Sequence, residues 1–170
     1  EARFSSENNF SFNVSKKLKF NDLNIESKIN LDQLVIKNNF KDLKLYLPSV
    51  EGIIKLEKHK IVINYNKDNL KIKGKGETLI KNKSDFVKYN ITKKNNKFIF
   101  DTEIKLKNNK LLIDGLSYEK KENLDASILI KGNFKKSGKI KFDLISLIEN
   151  DNKILFKNVN LSKKFKIISI

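Results

Sequence analysis

Few residues of this chain have the types that do chemistry, and their spacing decides what they could do. His59 is the lone histidine, in Leu56-Glu57-Lys58-His59-Lys60, where an outward polar slot is expected. Asp101 and Glu103 share a face and could act as paired carboxylates, but ordinary cross-strand pairing with lysines accounts for them. Lys73-Gly74-Lys75-Gly76-Glu77 carries two glycines. It follows a short strand and opens no helix, so a bulge or strand-end loop fits it better than a phosphate cradle. Phe98, Phe100 and Tyr118 could stack on bases, but they alternate with charge as core residues do. There are no cysteines, which excludes disulfides, thiolate metal sites and a cysteine nucleophile. No Ser/His/Asp set, P-loop, G-x-G-x-x-G or metal-ligand spacing occurs. The expectation is a chain with no catalytic residues, no metal and no cofactor, and no enzyme activity.

Charge is the next clue. The formal net charge is +16, carried almost wholly by lysine, since Arg3 is the single arginine. Specific nucleic-acid readers rely on arginine's fork, and these lysines are spread along the whole chain, so nucleic acid is not the expected partner. An evenly solvated coat, in the Lys/Asn/Ile-rich composition of an A+T-rich coding sequence, accounts for the distribution. Attraction to anionic headgroups, on the order of 1 kcal/mol per lysine near a surface, is the functional alternative.

The elements that would position any site follow a period of two. Phe10, Phe12 and Val14 alternate with polar residues, as do Ile25, Ile29 and Leu31, then Ile54 and Leu56, then Ile61, Ile63 and Tyr65. Leu70 with Ile72, Val87 with Tyr89 and Ile91, and Phe98 with Phe100, Ile104 and Leu106 continue it. Ile128 with Ile130, Ile140 with Phe142 and Leu144, Ile154 with Phe156, and Val159 with Leu161 complete it. Half-buried strands have this repeat. Asn38-Asn39, Asn95-Asn96, Asn108-Asn109, Lys67-Asp68-Asn69 and Asn150-Asp151-Asn152 supply turns, Pro48 a loop, and Gly132 and Gly138 bracket another turn. Asn108-Asn109 reads as the tip of a hairpin that returns through Leu111 and Ile113. Phe142, Ile145 and Ile148 also fit a short helix, and Glu77–Lys88 is ambiguous. The fold class expected is all-β, a long antiparallel meander of about ten to twelve strands, in one β-rich unit spanning 1–170.

Such a sheet raises the question of cover. With strands ~4.8 Å apart, a dozen make a width of roughly 55 Å, and one oily face of that size cannot stay bare. Without helices the sheet closes into a barrel, folds into a sandwich, or curls into an open groove or partly closed, barrel-like trough that holds something apolar.

The stretch Leu70–Phe134, with its "IKGKGE" strand end, the progression from Phe86 through Lys93-Lys94-Asn95-Asn96 to "GLSYEK", and "ASILIKGNF", resembles the AsmA-like superfamily, in particular the YhdP-type bridge-like lipid transfer proteins. Ile145–Ile170 continues the likeness; residues 50–170 follow it well and the first fifty loosely. The resemblance implies a middle segment of a larger periplasmic protein of Gram-negative bacteria, anchored in the inner membrane through other parts of the parent. It implies a β-groove that conducts phospholipid between inner and outer membranes and supports outer-membrane biogenesis and barrier integrity. Phospholipid acyl chains would be the direct partners, and the two membranes partners through the rest of the parent. On that reading the lipid-groove residues are Ile61, Ile63, Leu70, Ile72, Val87, Tyr89, Phe98, Phe100, Ile104, Leu106, Ile128 and Ile130. The alternative is a structural or adhesive β-domain in which the same residues pack into a sealed core with no lipid passage.

Overall fold

The computed structural model describes residues 1–67, 69–94, 96–135, 140–161 and 167–169. The strands are β1 (Ala2–Val14), β2 (Phe20–Lys37), β3 (Ile53–Asn66), β4 (Asn69–Ile80), β5 (Lys83–Lys94), β6 (Lys97–Leu106), β7 (Leu111–Ile113), β8 (Tyr118–Lys120), β9 (Ala126–Lys135), β10 (Ile140–Glu149), β11 (Asn152–Leu161) and β12 (Ile167–Ser169). Ten form one antiparallel meander in the order β1-β2-β3-β4-β5-β6-β9-β10-β11-β12, open at both edges and not closed into a barrel. β7 and β8 pair only with each other. A four-residue helix, α1 (Lys41–Lys44), lies in the β2–β3 connection, whose ends are joined by Asn38 N–H donating to the Gly52 carbonyl (3.0 Å). The all-β reading and the open groove stand. Left-handed residues make the tight connections where side chains tolerate them least badly or the turn demands it: Lys67 between β3 and β4, Lys81 between β4 and β5, Asn150 between β10 and β11.

Several local expectations are corrected. Phe142, Ile145 and Ile148 lie in β10, not in a helix, because β10 is flanked on both sides by hydrogen-bonded strands. Residues 77–88 form the end of β4, a two-residue turn and the start of β5. Gly74 and Gly76 lie inside β4, not in a strand-end loop, with Gly76 opposite a bulge of β3, and Gly132 lies inside β9, not in a turn. The turn expected around Ser137 lies outside the described residues. Asn108-Asn109 is not a hairpin tip: β6 pairs with β9, and the chain between them leaves the sheet.

Bulges explain two further departures. Lys58 has a left-handed backbone (φ 53) and the β3–β4 register slips between Glu57 and Lys60, so the parity set by Ile54 and Leu56 flips before His59. His59 therefore lands on the apolar face, 1% exposed, and not on the outward slot. Asp143 interrupts β10 in the same way, which sends Leu144 outward beside Lys131 and brings Ile145 and Leu147 inward.

The strand glycines have a packing reason. The Tyr89 ring lies across Gly74, the His59 ring across Gly76 and the Phe100 ring across Gly132, each where a Cβ would stand. A methyl at Gly76 would sit 2.7 Å from the His59 Cα, and at Gly132 2.4 Å from the Lys141 carbonyl oxygen, so neither can be cleared by a side-chain swing alone. Gly76→Ala and Gly132→Ala should each destabilise by about 1–3 kcal/mol through overpacking. Gly115→Ala, at a site with open space around it, should stay within about 0.5 kcal/mol of the parent protein. Urea unfolding of the three variants checks this; a Gly76→Ala protein as stable as Gly115→Ala would refute the ring-over-glycine account.

Candidate functional site

The register sorts the side chains. Along one row Ile63, Ile72, Ile91, Phe100, Gly132, Phe142 and Val159 stand directly opposite one another on seven strands. The next row is Ile61, Gly74, Tyr89, Thr102, Ile130, Ile145 and Phe156, and a third contains Val87, Ile104, Ile128, Leu147 and Ile154. Toward the opposite end of the strands run Tyr65, Leu70, Lys93, Phe98, Phe134, Ile140 and Leu161. Since side chains alternate along a strand, all twelve residues expected on the groove lie on this one face. The other face carries Lys73, Lys75, Lys88, Asp101, Glu103 and Lys131, and the only ion pair among these six joins Asp101 to Lys131 (3.5 Å).

Exposure separates the twelve. Ile61, Ile63, Leu70, Ile72, Val87, Tyr89, Phe98, Phe100, Ile104, Ile128 and Ile130 are half-buried, so no second layer seals them. Leu106 is different. It is 3% exposed and packs with Leu111, Ala126 and Leu147 in a closed cluster, against which Leu47, Ile113, Tyr118, Ile128 and Ile154 also pack. Leu106 belongs to the cover of one strand end and not to the accessible wall. At the other end Phe98 stacks on Phe134 (ring centroids 4.7 Å apart), and Phe142 meets Phe100 edge-on at 5.8 Å. Ile91, Phe134, Phe142, Ile145, Phe156 and Val159 extend the face beyond the expected set. Ile91, Phe142 and Phe156 carry the period-two signal, while Ile145 was hidden by the bulge.

The cover is built from two excursions, residues 38–52 and 107–125, tied by Leu112 N–H donating to the Tyr46 carbonyl (2.8 Å). Asp85 holds the second in place. Its Oδ1 accepts the backbone N–H groups of Lys107 (2.7 Å) and Asn108 (2.8 Å), and its Oδ2 accepts from Asn109 Nδ2 (2.8 Å). Lys120 is fully buried and donates Nζ to the carbonyls of Lys107 (2.6 Å) and Asn109 (2.7 Å). Tyr118 donates to buried Glu149 Oε2 (2.6 Å). Burial pushes the Lys120 ammonium below its ordinary pKa, against the opposing pull of Asp85, Glu149, Asp125 and Glu122. Burial, then the Glu149 carboxylate, pushes the Tyr118 hydroxyl well above its ordinary range.

His59 turns both ring nitrogens to neighbouring groups. Its Nε2 is 3.0 Å from the Glu77 carbonyl oxygen, which can only accept, so Nε2 carries the proton and Nδ1 faces the Tyr89 hydroxyl at 3.4 Å. Both ring nitrogens are engaged inside an apolar wall. Among the described residues no group of three or more His, Asp and Glu side chains could hold a metal, and no helix is long and apolar enough to cross a membrane. What the face offers chemically is a largely aliphatic and aromatic surface, interrupted by Thr102 and, toward one end of the strands, by Lys93. Comparison with protein-family models, curated proteins and solved structures finds no match.

The latch gives a pH signature. With the folded Lys120 pKa below the unfolded value of 10.5, the unfolded chain binds a proton the folded chain holds less tightly. Raising the pH toward 10.5 removes that advantage of the unfolded state. The stability of the parent protein relative to Lys120→Met should therefore rise with pH up to about that value and level off above it. Urea unfolding across the alkaline range, in a Tyr118→Phe background that removes the opposing tyrosine titration, measures it; a flat difference would mean that Lys120 is not desolvated.

Proposed function

We propose that the apolar face is a path for phospholipid acyl chains, and that the chain forms part of the wall of a periplasmic β-groove that moves phospholipid between inner and outer membranes and so supports the outer-membrane barrier. The observation that carries this reading is that eleven half-buried apolar residues share one face of an open sheet, and that among the described residues the small β7–β8 sheet packs on that face only at the Leu106 end, where it meets Ile128. Acyl chains on such a wall gain ~0.8 kcal/mol per buried CH₂, while headgroups keep to water at the open side. Passage needs affinity that is continuous and shallow, and a smooth wall of Ile, Leu, Val and Phe supplies that where a polar pocket would trap one ligand. The likeness to YhdP-type proteins of the AsmA-like superfamily supports the periplasmic setting and a parent anchored in the inner membrane.

A sealed structural or adhesive domain is the second reading, and the closed cluster of Leu106, Leu111, Ala126 and Leu147 favours it locally. That cluster covers one strand end and leaves the rest of the face half-exposed.

Native mass spectrometry with lipid extraction separates the two. The protein should carry phospholipid, and Phe100→Asp with Ile104→Asp should release it. Because a charge there also strains packing, a photo-crosslinking residue at Ile63 or Ile72 provides an independent readout, with outward Ile99 as control. Crosslinks to lipid from Ile63 and Ile72 but not from Ile99 are expected. A folded, lipid-free protein with no inward crosslinks would sink the proposal and leave the sealed domain.

A further inference from the structure

The Lys-Gly-Lys-Gly motif finds a use on the face opposite the apolar wall. Because Gly74 and Gly76 point inward, Lys71, Lys73 and Lys75 line up along the outer side of β4. Lys75 stands directly opposite Lys60 on β3 and Lys88 on β5. The result is a T-shaped cross of five lysines with Lys75 at its junction, about 13 Å long along β4 and about 10 Å wide across three strands. Like charges placed directly opposite one another in a sheet repel, and none of the five makes an ion pair among the described residues. Two other lysines on this face are neutralised locally, Lys131 by Asp101 and Lys141 by Asp143. The nearby carboxylates do little to relieve the cross. Glu77 is engaged by Lys58 and Ser84, Asp101 by Lys131 and Glu57 by the Gln33 amide, while Glu103 stands opposite Lys88.

Lys60, Lys73, Lys75 and Lys88 line a recess of about 600 Å³ together with Val62, Leu129 and two carboxylates, Asp101, which is held by Lys131, and Glu103. Asn90, directly opposite Lys73, also lines it, and its buried side-chain oxygen has no hydrogen-bond partner. A half-turn of that amide presents the NH₂ group instead, a donor suited to an anion. Repelling cations, a recess among them and an unsatisfied amide at its wall call for the same ligand.

We propose that this cross binds a ligand carrying clustered phosphates, two or more within the span of the lysines. A single phosphate would engage only part of the cross, whereas several engage both arms at once. The backbone N–H groups of β4 are committed to the ladder, so recognition comes from ammonium groups and the Asn90 amide and not from a backbone cradle. This site lies on the other side of the sheet from the acyl-chain path and stands or falls separately from it.

Tripolyphosphate is the probe, followed by calorimetric titration and thermal unfolding. It should bind more tightly than inorganic phosphate and raise the Tm beyond the effect of NaCl at matched ionic strength. Lys75→Gln with Lys88→Gln should weaken it about thirtyfold, roughly fivefold per lysine, and should by itself raise the Tm at low salt by relieving repulsion. Lys153→Gln with Lys157→Gln, which removes equal charge from β11 on the same face, should leave affinity within about twofold. Equimolar cardiolipin–phosphatidylcholine vesicles, against pure phosphatidylcholine, identify the source. Retention lost in the β4–β5 pair assigns a lipid headgroup, and binding of tripolyphosphate alone assigns a soluble phosphate. Equal loss in both lysine pairs, or full reproduction of the stabilisation by NaCl, would overturn the site, because net charge alone would then explain the binding.

Discussion

In a single-layer sheet one extra residue turns the rest of its strand over, so the central strands keep their groove-facing side chains on one face only if a bulge inside the sheet is matched by its neighbour. The register shows that matching. β2 and β3 stay paired without a slip through Leu31–His59 and Gln33–Glu57, while β2 slips against β1 and β3 slips against β4 at the same level. β10 and β11 behave alike: they remain in step from Phe142–Val159 to Leu144–Lys157, and β10 slips against β9. Asn158, with φ 58, is the β11 counterpart of Asp143. These four bulges form two aligned pairs, each strand correcting the other, and Leu31, His59, Ile145 and Phe156 face inward as a consequence. Everything proposed for either face depends on this bookkeeping of parity.

Period-two alternation made the strands legible because it reports directly on a half-buried sheet, and it placed all twelve groove residues on one face. What it could not report is a shift of parity. Lys58 gives no turn signal, since lysine is a poor residue for a left-handed backbone, so His59 read as outward and Leu144 as inward. The excursion from 107 to 125 was illegible for another reason. Asn108-Asn109 has the composition of a hairpin tip, but its fate is decided by Asp85, more than twenty residues earlier, whose carboxylate collects the N–H groups of that bend. Nothing local in the sequence announces that Lys120 and Glu149 close over one strand end.

That closure is expensive in isolation. Asp85, Lys120 and Glu149 are all buried, and removing charges from water costs several kcal/mol each unless hydrogen bonds replace the solvent. Replacement is nearly complete here: amides for Asp85, carbonyls for Lys120, a phenol for Glu149. Such a network adds little net stability over an apolar plug, but it accepts only one placement of the excursion. Residues 107–125 could otherwise slide along an oily face that offers similar contacts everywhere. The polar latch confines them to the end and leaves Ile63, Ile72, Ile91 and Phe100 uncovered.

The uncovered wall carries a thermodynamic consequence. Only eight hydrophobic side chains are buried among the described residues, few for a chain of 170, so the sheet lacks much of the apolar burial that usually offsets chain entropy. Anything apolar that settles on the wall supplies part of that missing burial, and a ligand that binds the folded state alone raises its stability by mass action. Occupancy and folding are then coupled. A sheet sealed by a second layer would be stable empty and indifferent to lipid, whereas this one gains stability in proportion to how continuously its wall is covered. Continuous but individually weak occupancy is also what movement along the wall requires, so the same deficit of core would suit the sheet to the traffic of acyl chains proposed above.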